Sequence, residues 1–256
     1  MKEFGRQFLI LQVIVSLVIC VDLTLALVSP NNNRCSEGGS ISRQDAFKAG
    51  FAGFAFLAGS PETAFGFDNK VASFDRPKRK GPKPNDLGVM KRMDIVGEEY
   101  VGLKHCGSAP NCFVSTDNIE DDPDHNIPSW SWPEEYGDDR KKAFEQLVST
   151  INSYEPGQSN IDGGGFKIIA NESSYIYTQF ESLKNGYYDD LEVAYIDGYG
   201  KRNVQVRSSS RIGYLDFGVN AKRINYIAKD LRSKGWDAPG VEYKTHQNYV
   251  IQNEIE

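Results

Sequence analysis

His105, Cys106, Cys112 and His125 fall within one short stretch of the chain and are the residues best suited to chemistry. A thiol beside an imidazole can be held as the thiolate and act as a nucleophile. His105 adjoins Cys106, but neighbours in an extended loop point in opposite directions, so His125 brought round by the fold is the other candidate base. The same cysteines fit a structural disulfide. Five residues separate them, and Gly107 and Pro110 among these favour a tight loop whose ends approach the Cα spacing a disulfide needs. A ring this small contributes little stability and acts chiefly by fixing the loop's shape. A zinc site would want the CxxC spacing that is missing here. In an oxidising compartment the disulfide is the favoured reading, with thiol catalysis as its alternative.

A second set of candidates is charged. Arg207 and Arg211 could bind an anion, yet at roughly 3.3 Å per residue their Cα atoms lie ~13 Å apart, too far for one carboxylate without a bulge. The acidic runs at 117–124 and 134–139 lack the spacing of an EF-hand loop, so neither a metal nor a cofactor is expected. A net charge of -6 argues against a nucleic-acid partner. The basic cluster at 76–80 is interleaved and followed by Pro and Gly and reads as a solvated linker. Trp130 and Trp132, flanked by Pro128 and Pro133, form a rigid lid over the core edge or, if exposed, a partner surface. Asn171-Glu172-Ser173 is a glycosylation sequon only in the secretory lumen, and otherwise a hairpin turn.

The elements that must position these residues become readable from Asp138 onward. Ala143, Phe144, Leu147, Val148 and Ile151 share one face of a helix that Asp138 or Asp139 can cap. Apolar alternation then predicts strands over 166–170, 175–182, 191–196 and 203–211, joined by short turns and hence antiparallel. A last helix, capped by Asn220, presents Ala221, Ile224, Ile227, Ala228 and Leu231 inward and ends at Gly235. The fold class is therefore α+β: a four-stranded antiparallel meander with an N-terminal and a C-terminal helix packed on one face. Only one register puts the apolar residues of the last hairpin together. It sets Val193 opposite Val206, Glu192 opposite Arg207, and Asp190 opposite Ser209 with Arg207 and Arg211 diagonal to it. The array reads first as a charge ladder that fixes strand pairing. Gly213, Asp216, Gly218 and Asn220 shape the strand-to-helix turn, with Asp216 opposing any anion there.

The run from Val204 to Leu231, which includes Arg223, and the block Cys106-Gly107-Ser108-Ala109-Pro110-Asn111-Cys112 through Ser115-Thr116 resemble the two signature blocks of the DUF 1499 family. The resemblance spans about residues 103–235 and implies a family without an assigned activity; Gly107 stands where the family pattern has Pro. Upstream, Lys2 and Arg6 precede an apolar run over 8–28 with a small-residue end at Ala26, which reads as a signal peptide over 1–26. A second short apolar run over 49–59 makes 27–66 resemble the transit and lumenal targeting region of a complex-plastid protein. Residues 67–100 read as linker, 101–235 as the domain and 236–256 as a tail whose Tyr243, His246 and Tyr249 serve packing. The expected location is the thylakoid lumen, with secretion as the alternative and no membrane span in the mature chain. Two functions follow as expectations: a non-catalytic auxiliary or assembly protein acting on a photosynthetic membrane complex, or a small-ligand binder or thiol or hydrolytic enzyme using the loop from Cys106 to His125.

Overall fold

The computed structural model describes residues 66–71, 79–94 and 97–255, so the leader reading falls, but for Gly66, outside the described residues. In chain order the elements are β1 (Met90–Met93), β2 (Glu99–Gly102), β3 (Cys112–Val114), β4 (Trp130–Ser131), α1 (Arg140–Asn152), β5 (Gly165–Asn171), β6 (Tyr175–Glu181), β7 (Tyr188–Tyr195), β8 (Asn203–Ser210), α2 (Val219–Ser233) and α3 (Gln247–Gln252). The α+β class holds, with every named strand pair antiparallel. The meander β5 to β8 does not stand alone, however. The sheet has six strands, in the order β3-β8-β7-β6-β5 with β4 also on β8, and β1-β2 forms a separate two-stranded sheet. Three and two residues are too few for β3 and β4 to show any alternation. They share the outer edge of the eight-residue β8, Cys112–Val114 against Arg207–Ser209 and Trp130–Ser131 against Asn203–Val204.

One sheet face is closed by α1 and α2. Ala143, Phe144, Leu147 and Ile151 of α1 and Ala221, Ile224, Ile227, Ala228 and Leu231 of α2 are buried against Ile176, Phe180, Leu191, Val193, Val204 and Val206. Each fully buried Leu or Ile in such a layer stabilises by about 1.5–3 kcal/mol. Asp139 caps α1, accepting the Lys142 N–H at 3.0 Å. The cap of α2 corrects the expectation. Asp216, not Asn220, receives the free N–H groups, from Gly218 at 3.1 Å and Asn220 at 2.8 Å. Asn220 lies inside the first turn and faces the core, so its side chain cannot also cap. Gly235, at φ +88°, ends α2 in a Schellman motif: its N–H donates to Arg232 and that of Trp236 to Leu231. The segment read as a tail continues into the same core, where Trp236, Ala238, Val241 and Tyr249 are buried and α3 closes on Phe113.

The opposite face is covered by the segment read as linker. Leu103 packs with Val114 and Ala194 in a small second core, and the Gly88 N–H donates to Glu192 at 2.5 Å. Lys80 and Lys83 lie over the rings of Tyr188 and Tyr177. We call the covering residues 79–94 and 97–106, the end of the segment read as linker and the start of the domain, the strap. No helix among the described residues is long and apolar enough to cross a membrane.

Candidate functional site

Cys106 and Cys112 form a disulfide with Cα atoms 5.7 Å apart. The described chain therefore offers no thiol at this loop, and the nucleophile reading has no group to act with in this state. The two histidines are nonetheless brought to the same place. His105 Nδ1 pairs with the Asp117 carboxylate, whose other oxygen accepts the Cys106 N–H at 3.3 Å. His125 Nδ1 meets both Asp122 oxygens at 2.8 Å, while its Nε2 faces the Ala109 carbonyl at 3.2 Å. Both nitrogens of His125 thus face oxygen acceptors, which fixes the orientation of the ring. Burial pushes the Asp117 carboxyl above its ordinary range, an effect that the hydrogen bond from His105 opposes.

These groups wall a cleft of about 600 Å³ lined by Asp94, His105, Cys106, Asp117, Asp122 and His125 among others. An adjoining hollow of about 410 Å³ shares Asp94, His105 and Thr116 and adds Tyr100, Tyr199 and Gln205. The residues lining the two include four aspartates at the cleft and a fifth, Asp197, at the hollow, and no Lys or Arg. Among the described residues no group of three His, Cys, Asp or Glu is placed to hold a metal ion. The arrangement can accept hydrogen bonds and attract positive charge; nothing in it sets a nucleophile against a base.

The signature residues lie elsewhere. Beneath the strap, Glu192 meets Arg207 at 3.4 Å and accepts from Tyr175 at 2.8 Å. Asp190 binds Arg211 through two bonds of 2.8 Å and accepts from Tyr177 at 2.6 Å, with Ser209 opposite it across the ladder. Each arginine thus faces a carboxylate of its own. Burial and the adjacent carboxylates push both tyrosine hydroxyls far up, which keeps them as donors. On the helix side, Arg223 is fully buried and held by two carboxylates, Asp162 and Asp189, the latter at 2.7 Å. It also reaches Ser208 and Asn220, while Tyr154 donates to Asp162 at 2.7 Å. Gly213 and Gly218 adopt φ of +91° and +83°, the left-handed conformations that the turn into α2 requires.

Trp130 and Trp132 are not a partner surface: both are buried, their indole N–H groups donating to the carbonyls of Pro239 and Gly137. Asp117, Asp122, Asp162 and Tyr100 are the residues that sequence reasoning does not single out. The three-residue spacing of Asp122 and His125 in a turn is a signal that could have found one pair. His105 and Asp117, twelve residues apart, and Asp162 and Arg223, sixty-one apart, carry none.

Fold and site together define a disulfide-bearing α+β domain with an acidic cleft and a buried ion-pair ladder. The chain belongs to the family described as "Protein of unknown function (DUF1499)", whose model matches residues 102–231, about half of the chain. No curated protein matches the chain, and no solved structure does. The cleft loop from His105 to His125 lies inside the matched residues, while Asp94, most of the strap, Trp236 and α3 lie outside them.

Proposed function

We propose that the protein is a non-catalytic binding protein whose cleft takes a small polar ligand carrying positive charge. The observation that supports this is the cleft wall itself: four aspartates, two imidazoles and the disulfide around about 600 Å³, without a lysine or arginine. That volume lies within the range of small-molecule sites, and the carboxylates would act as acceptors in a partly water-excluded space. Tyr100 and Tyr199 line the adjoining hollow and bring aromatic side chains near an alkylammonium group. The test is a titration of 15N-labelled protein with 1,5-diaminopentane and, separately, with pentanedioate. Saturable shifts at His105, Thr116, Asp117 and His125 with the diamine alone are expected. Equal response to the dianion, or no response to either, sinks the reading.

We further take the protein to act in the thylakoid lumen, on the support of the bipartite leader over residues 1–66. The intact mass of the native protein checks this: a start near Phe67 is expected, and a start near Leu27 overturns it. One observation favours a second reading, an assembly role at a photosynthetic membrane complex. Tyr214, Phe217 and Ile251 are exposed large apolar side chains around the turn into α2 and on α3. Phe217→Ser would then weaken co-isolation with thylakoid membranes while leaving diamine binding unchanged.

A further inference from the structure

We infer that the Cys106–Cys112 disulfide is a redox latch on the cleft, opened by a dithiol reductant that frees the wall formed by residues 106–108. The two halves of the loop are held very differently. On the inner side the Pro110 carbonyl accepts from Asn253 at 2.9 Å, and the Asn111 carbonyl accepts from Ser210 and Asn220, each at 3.0 Å. The Asn111 side chain donates to Gly213 at 2.6 Å, and Cys112 is paired with Ser209 on β8. None of these contacts involves the disulfide. Among the described residues, the outer side is held by the Cys106 N–H on Asp117, by the packing of Cys106 against Leu103, Val114 and Ala194 and, at its end, by the Ala109 carbonyl that accepts from Asn111 and His125. Gly107 and Ser108 between them are exposed, and a side-chain carbon added at Gly107 would meet open space. The sulfur bridge is thus the tether that holds the outer half against the anchored half.

That outer half is cleft wall: Cys106, Gly107 and Ser108 all line it. Its end also holds the His125 ring, whose backbone carbonyl accepts the Val114 N–H at 2.9 Å, while the Ile127 N–H returns to Val114 at 3.1 Å. Release of the bridge therefore loosens the imidazole and the short bridge between β3 and the segment after His125. The route of attack follows from burial. Cys112 is 3% exposed, whereas Cys106 is partly exposed and opens onto the cleft. A reductant thiolate attacks Cys106 Sγ, the S–S bond breaks, and Cys112 Sγ leaves with the electron pair and takes up a proton. The second thiol of the reductant then displaces Cys106 from the mixed disulfide. Two cysteine thiols and one cyclic disulfide result, two electrons and two protons having passed to the protein. Loss of ligand on reduction rests on the binding reading above; opening of the wall does not.

The experiment is amide hydrogen exchange on the full-length oxidised protein, before and after treatment with dithiothreitol, with diaminopentane titrated into both forms. Reduction is expected to speed exchange at Val114 and Ile127 by about tenfold while β5 to β8 stay protected. Cys106→Ala combined with Cys112→Ala should reproduce that pattern without reductant, and diamine affinity should fall in parallel. Unchanged exchange over 105–128 in the double variant overturns the latch, as does faster exchange throughout the sheet, which would make the bridge a global staple. A disulfide that dithiothreitol leaves intact under native conditions overturns it too. A diamine that binds neither form while exchange still rises locally supports the latch and sinks the ligand reading alone.

Discussion

Asp189 and Asp190 are neighbours in β7, yet they belong to two charge clusters of different construction on opposite faces of the sheet. On the helix side one guanidinium, Arg223, serves two carboxylates, Asp189 and Asp162. On the strap side each carboxylate has its own arginine, Asp190 with Arg211 and Glu192 with Arg207. All four carboxylates are buried. Pairing one to one leaves no residual charge in a dry layer, whereas two carboxylates on one arginine leave one charge in excess. Burial holds the Asp189 carboxyl above its ordinary value of 3.8; Arg223 opposes this and the second carboxylate, Asp162, adds to it. Adjacent aspartates in one strand should therefore respond in opposite ways to losing their charge.

The comparison breaks hardest at Arg223. Arg223→Leu strands Asp162 and Asp189 without a cation in a layer where neither can reach water, and should cost about 3–5 kcal/mol of stability. A urea melt measures it; a loss below 1 kcal/mol, on the order of an ordinary surface change, would mean that water enters this layer. Asp190→Asn comes next. It leaves the Arg211 guanidinium with the Tyr177 hydroxyl and the Tyr188 ring but no counter-charge, and should cost about 2–3 kcal/mol. Glu192→Gln should cost less, about 1 kcal/mol, because the amide oxygen still accepts from Gly88 and Tyr175 and only the long 3.4 Å contact with Arg207 loses its charge. Faster hydrogen exchange at the Gly88 N–H in that variant would show instead that the charge holds the strap.

The same contrast explains what could be read from the chain beforehand. The β7–β8 register was legible because Leu191 and Val193 share a face with Val204 and Val206 in only one alignment, and that alignment also sets Glu192 opposite Arg207. Local periodicity likewise carried α1, α2 and the Gly235 stop. β3 and β4 were hidden because three and two residues are too few to show a repeated alternation. The strap was hidden because its contacts are made by backbone, as at Gly88, and by lysines lying on tyrosine rings, and neither leaves an apolar pattern. Asp162 sits at φ +52° in a glycine-rich turn, where the residue type signals a turn and says nothing of a partner sixty-one positions away. At the cleft, the cysteine spacing was legible, while the carboxylates that hold the two imidazoles depend on tertiary placement.

The smallest expected effect is the most discriminating. Asp189→Asn keeps an acceptor for Arg223 and cannot ionise, so at a pH below 3.8 it should change stability by less than about 1 kcal/mol. Its pH dependence carries the information. Well below pH 3.8 the folded and unfolded chains both hold the Asp189 proton. Between 3.8 and the raised folded value, the folded chain keeps a proton that the unfolded chain has released, so wild-type stability falls as pH rises through that window. An asparagine has no proton to lose, and every other titrating group is common to both chains. The stability of Asp189→Asn relative to wild type should therefore climb as pH rises from 3.8 to the raised folded value and level off above it, read from paired urea melts. A constant gap between Asp189→Asn and wild type would mean that Arg223 neutralises both of its carboxylates, and the two faces of the sheet would then be electrostatically alike.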